Sequence, residues 1–251
     1  VKPTYFMFLL LVTSTVVRSQ TQSAGSTWNY ESSKAVMSQE YWNIWNADVQ
    51  AKINSNIYKY QNYTDQVKSL KAHGARIDIM GSQMHLFKPQ QCLDISLGKE
   101  IETPKIVWEK MNMMSQAGVP IHLSEITLTA PTDDEKGRLI QSVIAYNLYR
   151  LWFSIENMMG ITWWNIVDDC GAPGEPTTSG LFTRNMEAKP SYYALNRLIN
   201  QEWTTSLTVL PDGKGPINFR GFKGKYRVTW KNKMGESKEM TFQLNKDGDG
   251  F

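Results

Sequence analysis

Between residues 62 and 202 the apolar positions change spacing in a regular alternation. Asn62 to His73 carries Tyr63, Val67 and Leu70 at helical intervals and stops at Gly74, a residue suited to a helix C-cap. Arg76 to Phe87 is short, apolar and bounded by turn residues, which predicts a buried strand. Thr103 to Ala117 predicts a helix ended by Gly118, Val119 to Leu128 a second strand, and Asp133 to Asn157 a long amphipathic helix. Gly160 to Val167 predicts a third strand and Lys189 to Glu202 a closing helix. Strands that alternate with helices make parallel βα units joined right-handedly. Polar residues gather at the C-terminal ends of these strands: Gln83 and His85, then Glu125, then Trp164 and Asp168. That end carries the ligand in a (β/α)8 barrel and in a doubly wound sheet alike, so spacing leaves both architectures open. His122 precedes Glu125 by an odd number of residues, and a regular strand would turn the two to opposite faces. Packing is therefore the expected role of His122.

The ends of the chain have a different character. Val1 to Gln20 holds the apolar run Tyr5 to Val12 with Lys2 before it and small or polar residues after it, the pattern of a signal peptide. The run is too short for a membrane-spanning helix, which needs about 20 residues. The expectation is a soluble, secreted protein, extracellular or periplasmic, with no membrane association once the signal is removed. After Trp203 no helical period appears. Ile217 to Trp230 and Lys238 to Leu244 read as strands of a small β appendage. The expected domains are a signal peptide at 1–20, a main domain at 21–204 and the appendage at 205–251.

Composition limits the function classes. The residues are 41% hydrophobic and 20% charged, which describes a chain that buries a core rather than a disordered one. Lys2 and Arg18 are the charges of the expected signal segment, and without them the formal +3 falls close to neutral. No basic stripe argues for nucleic acid, whereas a neutral polysaccharide is compatible. Nine Trp supply flat apolar faces on which sugar rings stack, with core packing the alternative for each. Cys92 and Cys170 have neither C-x-x-C spacing nor histidines at metal-ligand spacing, so no metal is expected. Export leaves a single disulfide between them open.

Three segments in order carry candidate chemistry: Gly81-Ser-Gln-Met-His-Leu86, Pro120-Ile-His-Leu-Ser-Glu-Ile-Thr-Leu128 and Gly160-Ile-Thr-Trp-Trp-Asn-Ile-Val-Asp168. Glu125 is an acid inside an apolar strand, where burial without a purpose costs several kcal/mol. These segments, with Lys189-Pro-Ser-Tyr-Tyr-Ala-Leu195 after them, resemble glycoside hydrolase family 10, the endo-1,4-β-xylanases, from about Ala51 to Trp203. The first is similar to the family's Gly-x-Gln-x-His-Leu strand, the second to its nucleophile strand, and the third to the eighth-strand segment with a sugar-site Trp.

The resemblance implies an α/β fold of the (β/α)8 TIM-barrel type, incomplete and holding the later half of the barrel, with the small C-terminal β appendage. A complete barrel takes about 250 residues. It also implies a retaining endo-1,4-β-xylanase that hydrolyses xylan or xylo-oligosaccharide in plant cell-wall breakdown without a cofactor. Glu125 would be the nucleophile, with His85 hydrogen-bonded to it and holding it ionised. Gln83 would contact the sugar and Trp164 would form its floor. Asn54, in Asn54-Ser-Asn56, weakly resembles the asparagine motif of the fifth strand.

The sequence departs from the family at two places. The Trp-Asp-Val-Val-Asn-Glu segment that carries the acid/base is absent, and Trp28-Asn-Tyr-Glu31 is the nearest approximation, which makes Glu31 the candidate. Asp48, another loop or a partner chain are the alternatives. The loop Cys170 to Gly180 lacks the second substrate Trp commonly found there. A half barrel leaves a sheet side unpartnered, and the expected cover is the Trp-rich segment around Trp28, Trp42 and Trp45, the appendage, or a homodimer. A non-catalytic carbohydrate-binding remnant and an unrelated α/β protein remain the competing readings.

Overall fold

The computed structural model describes residues 28–46, 57–210, 217–232 and 234–245. The expected signal peptide, Asp48 and Asn54 lie outside the described residues. The chain divides after Asn196 into two compact units. Elements of the first follow in the order α1 (Tyr30–Ser33), a 3-10 turn (Lys34–Val36), α2 (Gln39–Asn46), α3 (Ile57–Ala72), β1 (Met80–Leu86), α4 (Pro89–Ser96), α5 (Pro104–Ser115), β2 (Ile121–Leu128), α6 (Glu135–Phe153), β3 (Met158–Trp163) and α7 (Pro190–Arg197). The strands form one parallel sheet in the order β1-β2-β3. This is an incomplete (β/α) barrel. In the second unit a π-helical turn (Leu198–Glu202) precedes an antiparallel hairpin of β4 (Gly224–Lys231) and β5 (Ser237–Leu244), the small β appendage. On that hairpin Tyr226 stacks on its cross-strand partner Phe242 at 5.3 Å.

Local chemistry sets the helix limits. Gly74 and Gly118 adopt φ +89° and +66° beyond α3 and α5, a region that costs glycine nothing. Asp134 caps α6 by accepting from the Gly137 amide at 2.7 Å, and Thr103 caps α5 ahead of Pro104. Each cap is worth about 1 kcal/mol. Helix α4 has no counterpart among the elements expected from the sequence, because its eight residues span scarcely two turns of apolar period. Its one local signal is Pro89 at the first helical position after Lys88.

The core lies between one face of the sheet and the helices. Met80, Leu86, Ile121, Leu123, Ile126 and Leu128 are at most 3% exposed. They meet a helical layer in which Met111 and Met114 of α5 and Ile140, Ile144, Leu148 and Trp152 of α6 are also buried. Each such aliphatic side chain contributes about 1.5–3 kcal/mol. Helix α6 is buried on several sides because the N-terminal segment covers it. Trp28 donates its indole N–H to Ser142 Oγ at 2.9 Å, and Tyr30 donates to Asn147 Oδ1 at 2.9 Å. Asn147 in turn donates to the Tyr41 hydroxyl at 2.8 Å, and the Tyr30 ring lies 4.4 Å from that of Tyr146. The aromatic residues expected to cover the open side of the sheet thus pack on the outer helix layer. Aromatic area and Asn147 together hold them there, since both provide partners that a bare strand face lacks.

Candidate active site

Strand register defines the other face of the sheet. Gly81 pairs with His122, Gln83 with Glu125, and His85 with Thr127. The partner count slips between Leu123 and Glu125, a bulge at Ser124 that adds one residue to β2. His122 and Glu125 therefore face the same side, which corrects the expectation from a regular strand. His122 Nε2 lies 2.9 Å from Thr162 Oγ1 of β3. Trp164 follows β3 and donates its backbone N–H to Ile126 O at 2.9 Å, alongside Thr127. From the N-terminal to the C-terminal end, the face thus presents His122, then Gln83 with Glu125, then His85 with Trp164.

His85 sits between defined partners. Its Nδ1 is 2.9 Å from Thr127 Oγ1, and its Nε2 is 3.3 Å from Gln83 Oε1 and 3.6 Å from Glu125 Oε2. With the proton on Nε2, the ring donates to Gln83 Oε1 and Nδ1 accepts from the Thr127 hydroxyl. The 3.6 Å separation from Glu125 is longer than a hydrogen bond. Phe87 stacks on the imidazole at 4.4 Å and 8°. Desolvation pushes His85 below its ordinary value, with Glu125 and Glu175 opposing. A neutral ring is the resting form.

Trp164 is 45% exposed and available to a ligand. Its indole N–H points at the Glu175 carboxylate, 3.1 and 3.2 Å from the two oxygens. Asn165 Nδ2 donates to Glu175 Oε2 at 2.9 Å, and the Ala172 amide N–H donates to the same oxygen at 3.3 Å. The Asn165 and Trp164 hydrogen bonds hold the Glu175 carboxyl below the usual range. Glu175 was not legible as a site residue. Its partners stand ten and eleven positions away across an irregular loop, and no period relates them. The one sequence signal was that this loop departs from the family pattern.

A buried polar cluster holds the base of the same loop. Lys189 Nζ lies 2.9 Å from Asp168 Oδ1 and 3.1 Å from Thr178 O, with Lys189 1% and Asp168 8% exposed at the side chain. Asp168 also accepts from the Gly180 amide at 2.7 Å. Gln141 of α6, fully buried, donates to Leu128 O at 2.6 Å and accepts from Ser191 at 3.2 Å. Asp168 is thus a structural anchor.

Glu31 lies in α1, where its carboxylate pairs with Lys34 at 3.1 Å and is 76% exposed. Its neighbours Trp28 and Tyr30 bond α6, on the helical side of the sheet. Cys92 is buried and Cys170 exposed, and both thiols are free, so the disulfide left open by the sequence is not formed. Burial pushes the Cys92 thiol up to about 12. Among the described residues no group of three His, Cys, Asp or Glu side chains could hold a metal, and no helix is long and apolar enough to cross a membrane.

Together these features define a class: an incomplete parallel βα barrel that presents a carboxylate, a histidine and a tryptophan on one face at its strand ends. The profile of glycosyl hydrolase family 10 matches residues 19–198, and the chain belongs to that family. Among curated proteins, the anti-sigma-I factor RsgI6 of Acetivibrio thermocellus is 27% identical over 180 residues, covering 70% of this chain and 21% of that protein. Endo-1,4-beta-xylanase A of Thermoanaerobacterium saccharolyticum is 27% identical over 145 residues, covering 57% of this chain and 12% of that protein. Among solved structures, native xylanase 10B from Thermotoga maritima superposes with a TM-score of 0.45 at 17% identity, covering 55% of this chain and 41% of that one. The chain spans 21% or less of the length of these two curated relatives.

Proposed function

We propose that this chain binds xylan or xylo-oligosaccharide on the strand-end face and carries the nucleophile of a retaining endo-1,4-β-xylanase, Glu125. The observation that supports it is the row of Gln83 and Glu125 beneath His85 and Trp164. Glu125 attacks the anomeric carbon, and the glycosyl-oxygen bond breaks with its electron pair leaving on the aglycone oxygen. Water then releases the sugar from the ester. Gln83 contacts the sugar hydroxyls, and Trp164 is its apolar floor. His85, with its Nε2 3.6 Å from Glu125 Oε2, borders the nucleophile on the side of Gln83.

The proton donor is the weak point of this site. A retaining pair places its carboxyls about 5–5.5 Å apart. Glu31 is engaged with Lys34 on the helical side, and Glu175 accepts from three donors that keep it ionised. Neither supplies a proton readily. General acid assistance is worth about 10²–10⁴ in rate, so xylan turnover is slow unless Asp48 or a partner chain provides the acid.

The deciding experiment compares xylan with an aryl β-xylobioside whose nitrophenolate leaves without protonation. The aryl substrate is expected to be cleaved and xylan barely so, and Glu125→Gln is expected to abolish the aryl cleavage while leaving xylan binding intact. Undiminished aryl cleavage by Glu125→Gln overturns the nucleophile assignment. The second reading, a non-catalytic carbohydrate-binding remnant, is favoured by a relative matched over 70% of this chain whose name is that of an anti-sigma-I factor and not of a hydrolase. Xylan retention without any nitrophenolate release selects it.

A further inference from the structure

The irregular loop after β3 starts at Trp164 and folds back onto it. At its base the loop is tied by the Asp168 and Lys189 pair and by Trp163, whose indole N–H donates to Ser179 O at 3.0 Å. Asn165 donates to Ser179 Oγ at 3.2 Å from the same side. From there Glu175 reaches back to Trp164, with its amide bonded to Ala172 O at 3.0 Å. Gly171 is where the chain passes the carboxylate. A Cβ there would stand 2.5 Å from Glu175 Oε2 and 3.0 Å from Asn165 Nδ2, so a larger residue at this position would push the carboxylate from its place.

We propose that Glu175 is a positioning residue that clamps the indole edge of Trp164 and thereby fixes the sugar floor beside Glu125. It rests on the xylan-site reading given above. An indole 45% exposed has little packing to choose its ring orientation. The two carboxylate oxygens supply that choice, because the indole N–H is a donor with one direction. A charged acceptor makes this bond stronger than a neutral one. Trp164, Asn165 and Ala172 all donate to Glu175, and a glutamine would turn its amide toward one of them. Preorganisation of the ring spares the sugar the cost of ordering it, which is where a positioning residue acts on affinity.

The test uses the full chain and xylotetraose. The indole N–H signal of Trp164 is identified in a proton–nitrogen spectrum by its loss in Trp164→Phe. Glu175→Ala is expected to move that signal upfield and to weaken xylotetraose binding about tenfold, the loss of roughly one charge-assisted hydrogen bond. Glu175→Gln, which keeps the length and one acceptor, is expected to fall between wild type and Ala in both readings, and it serves where Ala unfolds the loop. An indole signal unmoved in both variants overturns the clamp. A moved signal with unchanged affinity overturns its role in positioning the sugar. Failure of the wild-type chain to bind xylotetraose overturns the xylan reading and the substrate part of the proposal, while the indole signal still decides the clamp.

Discussion

The environment of His85 makes a pH prediction with a definite sign. Desolvation holds its pKa below the ordinary 6.5, and the carboxylates of Glu125 and Glu175 only partly offset this. The folded chain therefore takes up this proton less readily than the unfolded chain. A depressed folded pKa adds stability above the unfolded value, and that stability is lost as pH falls through it. His85→Gln, which cannot charge, is expected to show a shallower fall in melting temperature between about pH 7 and pH 5 than wild type. Melting curves across that range check it, and equal slopes would show that His85 is not desolvated. The same substitution removes the Nε2–H that faces Glu125, so aryl-xylobioside cleavage should decline without vanishing.

The element that frames the site is the loop between β3 and α7, and a buried ion pair ties its base. Lys189 and Asp168 are buried together, and desolvation lowers the lysine pKa against the pull of its partner. Such a pair is weak evidence for net stability, yet removing one partner strands the other. Lys189→Met is expected to cost about 3–5 kcal/mol. Replacing both, as Lys189→Met with Asp168→Leu, should cost less than the single change, because no unpaired charge stays buried. Urea titration of the three proteins measures this. A double variant less stable than Lys189→Met would indicate that Asp168 has a further role through Gly180.

At the scale of the molecule, β1 and β3 are the outer strands of the sheet among the described residues. Ile79, Phe87, Trp164 and Ile166 are each 39–45% exposed at or beside the strand ends. Exposed apolar side chains beside unpaired strand edges are costly in water and offer a template for association. The Trp-rich segment does not relieve this, since Trp28 and Tyr30 are spent on α6. The chain is expected to self-associate at micromolar concentration, with a two-fold dimer the commonest closed form. Light scattering against concentration tests it, and Ile79→Lys with Ile166→Lys should shift the curve toward monomer. A wild-type monomer throughout would show that the open face is tolerated.

The sequence by itself determined the alternation of strands and helices, the strand ends where Gln83, His85, Glu125 and Trp164 collect, and the family. These are local patterns: periods of apolar residues, glycine stops and short motifs whose meaning survives without knowledge of distant neighbours. The tertiary structure decided what depends on pairing between distant positions. The bulge at Ser124 brings His122 onto the face of Glu125, because one extra residue in β2 shifts its register against β1. Glu175 reaches Trp164 only once Asp168, Lys189 and Ser179 have folded the loop back. The Trp-rich segment found α6 instead of the open sheet, because Ser142 and Asn147 there offer polar partners that no period along the chain announces.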